Sequence, residues 1–124
     1  MIKAKILIVD DEEAIREVVS TLLEARGYEC ASVSNGLLAQ EYLGKHGVDL
    51  VLSDMVMPEM DGMRLVEWLH NTDPDIPIIM VTASAQFHDR VQAERASVNE
   101  FLAKPFDPEE LVTKIAALAG SHRA

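Results

Sequence analysis

The run Ile6-Leu7-Ile8-Val9-Asp10-Asp11 sets the architecture of the chain. Four consecutive apolar residues, three of them β-branched, leave neither face of an extended strand suited to water. Such a strand must be covered on both sides, as in a parallel sheet held between two layers of helix. Two carboxylates then end the run. It is too short for the central segment of a signal peptide and far too short to cross a bilayer, so a cytoplasmic protein with no membrane partner is expected.

Working outward, the same pattern recurs at Leu50-Val51-Leu52 and Ile78-Ile79-Met80-Val81, with fainter strands at Tyr28–Val33 and Asn99–Leu102. Helical periodicity fills the gaps. Ile15, Val18, Val19, Leu22 and Leu23 form one apolar stripe that stops at Gly27. Leu38–Leu43 predicts a second helix, and Leu65, Val66 and Leu69 a third beginning after Gly62. Phe87–Ala96 predicts a polar one. Asp107, Pro108 and Glu110 form the capping signature of a last helix, whose stripe is Leu111, Val112, Ile115 and Leu118. Strands alternating with helices predict an α/β, doubly wound, five-stranded parallel sheet with helices on both faces. A single domain over 1–124 is expected, with its core at about 5–119 and 120–124 as a tail.

Composition narrows the function. The chain has 124 residues, 48% of them hydrophobic, enough for a real core. Its 11 basic and 21 acidic residues give a net charge of −10 with no basic cluster, which excludes direct nucleic-acid binding as the expected role. The only cysteine, Cys30, reads as a small half-buried hydrophobe. His46, His70, His88 and His122 have no ligand spacing and read as surface residues, while Met55, Met57, Met60 and Met63 read as gap-fillers around one loop.

In doubly wound sheets, ligands sit beyond the carboxyl ends of the strands. There the first strand ends in Asp10-Asp11, the third in Asp54 and the fourth in Thr82, and the fifth is followed by Lys104-Pro105. Each alone has an ordinary explanation in a helix start, a turn or a solvated loop. Together, three converging carboxylates need a cation, and an all-oxygen set suits Mg²⁺ rather than zinc. A carboxylate there can attack phosphorus to form an acyl phosphate, with a lysine and a threonine hydroxyl on the phosphoryl oxygens. Asp54, Asp10, Asp11, Lys104 and Thr82 fill those roles.

Val9-Asp10-Asp11, Asp54 through Gly62, Val81-Thr82-Ala83 and Phe101 through Phe106 resemble, in order and spacing, the CheY-like receiver domain of two-component response regulators. The resemblance implies a flavodoxin-like strand order of 2-1-3-4-5. It implies that Asp54 is the phosphoacceptor, charged by a histidine kinase or histidine phosphotransfer protein, and that the switched surface meets a downstream protein or effector domain. It implies direct Mg²⁺ ligation by Asp11, Asp54 and the backbone carbonyl of Val56, with Asp10 acting through water. Thr82 and Lys104 would contact the phosphoryl group, Phe101 would be the aromatic switch coupled to Thr82, and the Lys104–Pro105 bond would be cis. Catalysis would be limited to self-phosphorylation and slow dephosphorylation.

Two departures stand out. Phe101 lacks the hydroxyl of the tyrosine common at that position, and Ala96-Ser97-Val98-Asn99 replaces the usual Gly-Ala turn. Val56 and Ser84, flanking the route of water to the acyl phosphate, are not equipped to orient it, so a long-lived phosphorylated state is expected. Three other readings compete. A phosphatase or phosphotransferase working through an aspartyl phosphate would want an acid where Val56 stands, and a flavin module would not put Asp10-Asp11-Glu12-Glu13 in its phosphate loop. A receiver-like binding module that is never phosphorylated would have no use for the full acceptor set. With only Ser121-His122-Arg123-Ala124 after Gly120, output from these residues through protein–protein contact is expected, whether they stand alone or are the receiver of a DNA-binding regulator or hybrid kinase.

Overall fold

The strand order expected for the sheet is the one observed. The structure, a computed structural model, describes residues 3–55, 62–82 and 98–119. Along them run β1 (Lys5–Val9), α1 (Glu13–Ala25), β2 (Glu29–Val33), α2 (Gly36–Leu43), β3 (Leu50–Asp54), α3 (Gly62–Thr72), β4 (Ile78–Thr82), β5 (Glu100–Ala103) and the C-terminal helix α4 (Pro108–Ala119). The strands form one parallel sheet in the order β2-β1-β3-β4-β5. The helix expected over Phe87–Ala96 falls outside the described residues.

Alternation along the strands divides the core into two layers. Ile6, Ile8, Leu50, Leu52, Ile79, Val81 and Leu102 pack with Val19 and Leu23 of α1 and Leu111, Ile115 and Ala119 of α4. Leu7, Val9, Val51, Ile78 and Met80 pack on the other face with Ala39 of α2 and Leu65, Val66 and Leu69 of α3. The three central strands are therefore greasy on both sides. Edge strand β2 has no fully buried residue, which is why its sequence signal is faint.

The α1 stripe is narrower than the periodicity implies. Val19 and Leu23 are buried and Ile15 and Leu22 half-buried, but Val18 is 62% exposed. At roughly 100° per residue, Val18 lies well to one side of the line through Val19 and Leu23, beyond the reach of the sheet. The helix closes at Gly27, whose φ of +94° suits glycine. Helix α2 starts earlier than its apolar residues suggest, because Asn35 Oδ1 accepts from the Leu38 amide at 2.8 Å. Its first apolar residues, Leu37 and Leu38, are exposed. Asp107 caps α4 through the Glu109 amide at 3.2 Å, one residue short of the capping-box geometry.

Side-chain clamps hold the amino ends of the strands. Asp49 is buried and accepts from the Lys5 amide at 2.7 Å, while its own amide donates to the Lys5 carbonyl at 2.8 Å. Asn99 does the same for β4: its Oδ1 accepts from the Ile78 amide at 2.8 Å and its amide donates to the Ile78 carbonyl at 3.0 Å. This side chain builds the entry to β5 where the Gly-Ala pair is missing. Cys30 is half-buried against the α1/α4 layer, and burial, then the charges of Glu24 and Glu29, push its thiol up to about 11.

Candidate functional site at the carboxyl edge of the sheet

Register brings the distant acids together. Val9 pairs with Ser53, so the next residues, Asp10 and Asp54, stand side by side at the ends of adjacent strands, roughly 4.8 Å apart in backbone spacing. Asp54 pairs with Val81, which puts Thr82 one step further out, and Thr82 pairs with Ala103, which delivers Lys104 to the same edge. The Lys104 amide donates to the Thr82 carbonyl at 2.7 Å, and the Lys104–Pro105 bond is cis, as expected. Asp10, Asp54 and Thr82 are buried, and Asp11 and Glu12 are exposed.

Lys104 sits at the centre. Its Nζ donates to Asp10 Oδ2 at 2.8 Å and lies 3.5 Å from Asp54 Oδ2 and 3.9 Å from Glu12 Oε1. Burial pushes the ammonium down, but the hydrogen bond to Asp10 and the charges of Asp54, Asp10 and Glu12 outweigh it, so its pKa is raised. The other oxygen of Asp10, Oδ1, accepts from the Glu12 amide at 2.9 Å. Ligand oxygens of Asp10, Asp11 and Glu12 lie within 4.8 Å of one another. One ammonium among four carboxylates leaves this rim with excess negative charge and only hard oxygen donors, which suits a divalent cation of the magnesium kind.

Alternation sorts the site by face. Asp10 follows Ile8, and Asp54 follows Leu52, toward the α1/α4 layer. Thr82 follows Met80 toward the α2/α3 layer, where half-buried Phe101 also packs. Threonine and aromatic thus share one face of neighbouring strands. Val56 and Ser84 lie outside the described residues, as do Met57, Met60, His88 and His122. Met55 is buried in the α2/α3 layer, and His46 is exposed.

Three contributors escape a reading of the sequence. Glu12 is one, since only the fold brings Lys104 to it. Arg16 Nη1 donates to the Asp10 carbonyl at 2.7 Å and fixes the junction of β1 and α1; its signal was a lone cation among Glu12, Glu13 and Glu17. Gly62, which reads as an ordinary turn glycine, lies directly against the end of β3. Its amide donates to the Met55 carbonyl at 2.9 Å, and a Cβ there would press on the Asp54 carbonyl and stand 2.7 Å from Met80 Cε.

The model of the response regulator receiver domain matches residues 6–116. The chain is 37% identical over 120 residues to the phosphate regulon transcriptional regulatory protein PhoB of Pseudomonas aeruginosa, covering 95% of this chain and 52% of that protein. It is 34% identical to the DNA-binding dual master transcriptional regulator RpaA of Synechocystis, with 92% and 48% covered. It thus spans about half the length of these curated relatives. Among solved structures, the chemotaxis response regulator CheY4 of Vibrio cholerae superposes with a TM-score of 0.85 at 31% identity, covering 93% of this chain and 98% of that one. A CheY-like receiver domain protein from Methanospirillum hungatei superposes at 0.90 with 30% identity, covering 99% and 98%. Among the described residues, no helix is long and apolar enough to cross a membrane.

Proposed function

Because the chain belongs to the family of response regulator receiver domains, modules switched by phosphorylation, we propose that Asp54 is its phosphoacceptor. The phosphoryl group comes from a phosphohistidine on a histidine kinase or a histidine phosphotransfer protein. The observation that supports this most is the Lys104 ammonium held between the carboxylates of Asp10 and Asp54 at the strand ends.

An Asp54 oxygen attacks phosphorus, and as the new O–P bond forms the P–N bond breaks, its electron pair returning to the donor imidazole. Lys104 and the Thr82 hydroxyl meet the phosphoryl oxygens as their charge develops. Asp11 and Asp54, with the Val56 carbonyl, would hold Mg²⁺, and Asp10 would support it through water. When bound, the ion supplies charge neutralisation for the transferred oxygens. Arg16 keeps the Asp10 backbone in place, and the buried walls of both layers limit the approach of water. Thr82 then draws toward the new charge, and Phe101, on the same face, changes its packing and alters the surface offered to a downstream protein or effector domain.

The domain is a single receiver over 1–124, working in the cytoplasm, with no turnover on outside substrates, since Val56 carries no acid for a leaving group. Incubation with a small acyl phosphate and Mg²⁺ tests the assignment by mass spectrometry. The expected gain of one phosphoryl group is lost in Asp54→Asn and without the metal. A gain that persists in Asp54→Asn would refute it.

A further inference from the structure

We propose that Glu12 is a positioning residue for Lys104: its carboxylate gives the ammonium a second seat on the α1 side of the rim and so sets how much of that charge Asp54 commands. The proposal rests on the reading of Asp54 as acceptor. Two observations lead to it. Glu12 stands at the N-cap of α1, with φ −91° and ψ 113°, yet its side chain makes no capping hydrogen bond. Helix starts favour the short side chains of Asp, Asn, Ser and Thr, which reach back to the first amides, so capping does not account for a glutamate here, and the helix dipole would be served equally by any acid. That side chain instead lies 3.9 Å from Lys104 Nζ, a group delivered from the far strand of the sheet.

The backbone of Glu12 holds it in that position. Its amide occupies Asp10 Oδ1 at 2.9 Å, leaving Oδ2 to the ammonium at 2.8 Å. Lys104 is therefore hinged on Asp10 between an inner carboxylate, Asp54 at 3.5 Å, and an outer one, Glu12. The side chain of Asp54 is 10% exposed and that of Glu12 61%. Water screens the outer attraction, so the seat at Glu12 is the weaker and biases the lysine without capturing it.

Labelling of Asp54 by a small acyl phosphate at saturating Mg²⁺ reads this bias. Glu12→Gln should label about two- to five-fold faster, the range of a screened ion pair, because the ammonium is released toward the incoming phosphoryl oxygens. In a Lys104→Met background the same substitution should change nothing. An unchanged rate in Glu12→Gln, or an equal gain without Lys104, would overturn the proposal. A second readout needs neither metal nor phosphate. In NMR of the metal-free protein with isotope-labelled lysines, Glu12→Gln should move the Lys104 Nζ resonance, identified by its loss in Lys104→Met, and leave Lys3, Lys5, Lys45 and Lys114 in place. A resonance that stays put overturns the proposal. A moved resonance with no label on the unsubstituted chain would remove Asp54 as acceptor and leave the seat for the lysine standing.

Discussion

Gly62 carries no functional group, yet it has almost no room for change. A methyl group there meets the Asp54 carbonyl and Met80 Cε, the first of which is fixed backbone. Gly62→Ala should therefore destabilise the fold by about 1–3 kcal/mol, read from urea denaturation, through the overpacking it forces against the end of β3. Cys30 offers a prediction of the opposite kind. Its thiol, raised from 9.0 to about 11 by burial first and neighbouring acids second, holds about 100-fold less thiolate near neutral pH than a free one. Reaction with an aromatic disulfide reagent at mildly alkaline pH should be slowed at least to that degree. The folded chain keeps the proton longer than the unfolded one, so this contribution to stability is intact below 9.0 and disappears as the pH rises through about 11.

Elements were legible in the sequence where both faces or one clear stripe are buried, and less so where contacts come from afar. β1, β3 and β4 carry continuous apolar runs because helices cover them on both sides, and their reading needed nothing else. β2 is half-wet, and α1 presents one valine too many: period alone does not tell which flank of a wide stripe meets the sheet, and Val18 fell on the wet side. The meeting of Asp10, Asp54 and Lys104 could be foreseen because each ends or follows a strand. The parts of Glu12, Arg16 and Gly62 could not, since they depend on which loop lies across which strand. Asn99 belongs here as well, being the device that starts β5 where the usual Gly-Ala pair is missing. Asn99→Ala leaves the Ile78 amide without its acceptor and should cost ~1–2 kcal/mol in chemical denaturation, whereas Asn99→Asp keeps an acceptor and should lose less.

For the molecule as a whole, the decisive quantity is the surplus of acid. A chain with a net charge of −10, which gathers Asp10, Asp11 and Glu12 at one rim, works against itself until a cation arrives. Magnesium should raise the melting temperature, by the equivalent of about 2.7 kcal/mol at a hundred times its dissociation constant. Asp11→Asn should do two things at once, stabilising the metal-free protein by relieving repulsion and abolishing the response to the ion. A calorimetric scan of both proteins with and without magnesium checks each half, and an undiminished response in Asp11→Asn would remove that residue from the ligand set.

The two apolar layers are kept apart by the full thickness of the β-sheet, with Asp54 turned to one and Thr82 and Phe101 to the other. Interiors so divided are deaf to one another along most of their extent. Only where the strands run out, with Asp54 ending one and Thr82 ending its neighbour, does the backbone no longer stand between them. The margin of the sheet is thus a keyhole between two sealed rooms: what is written on one side can be read on the other there, and nowhere deeper.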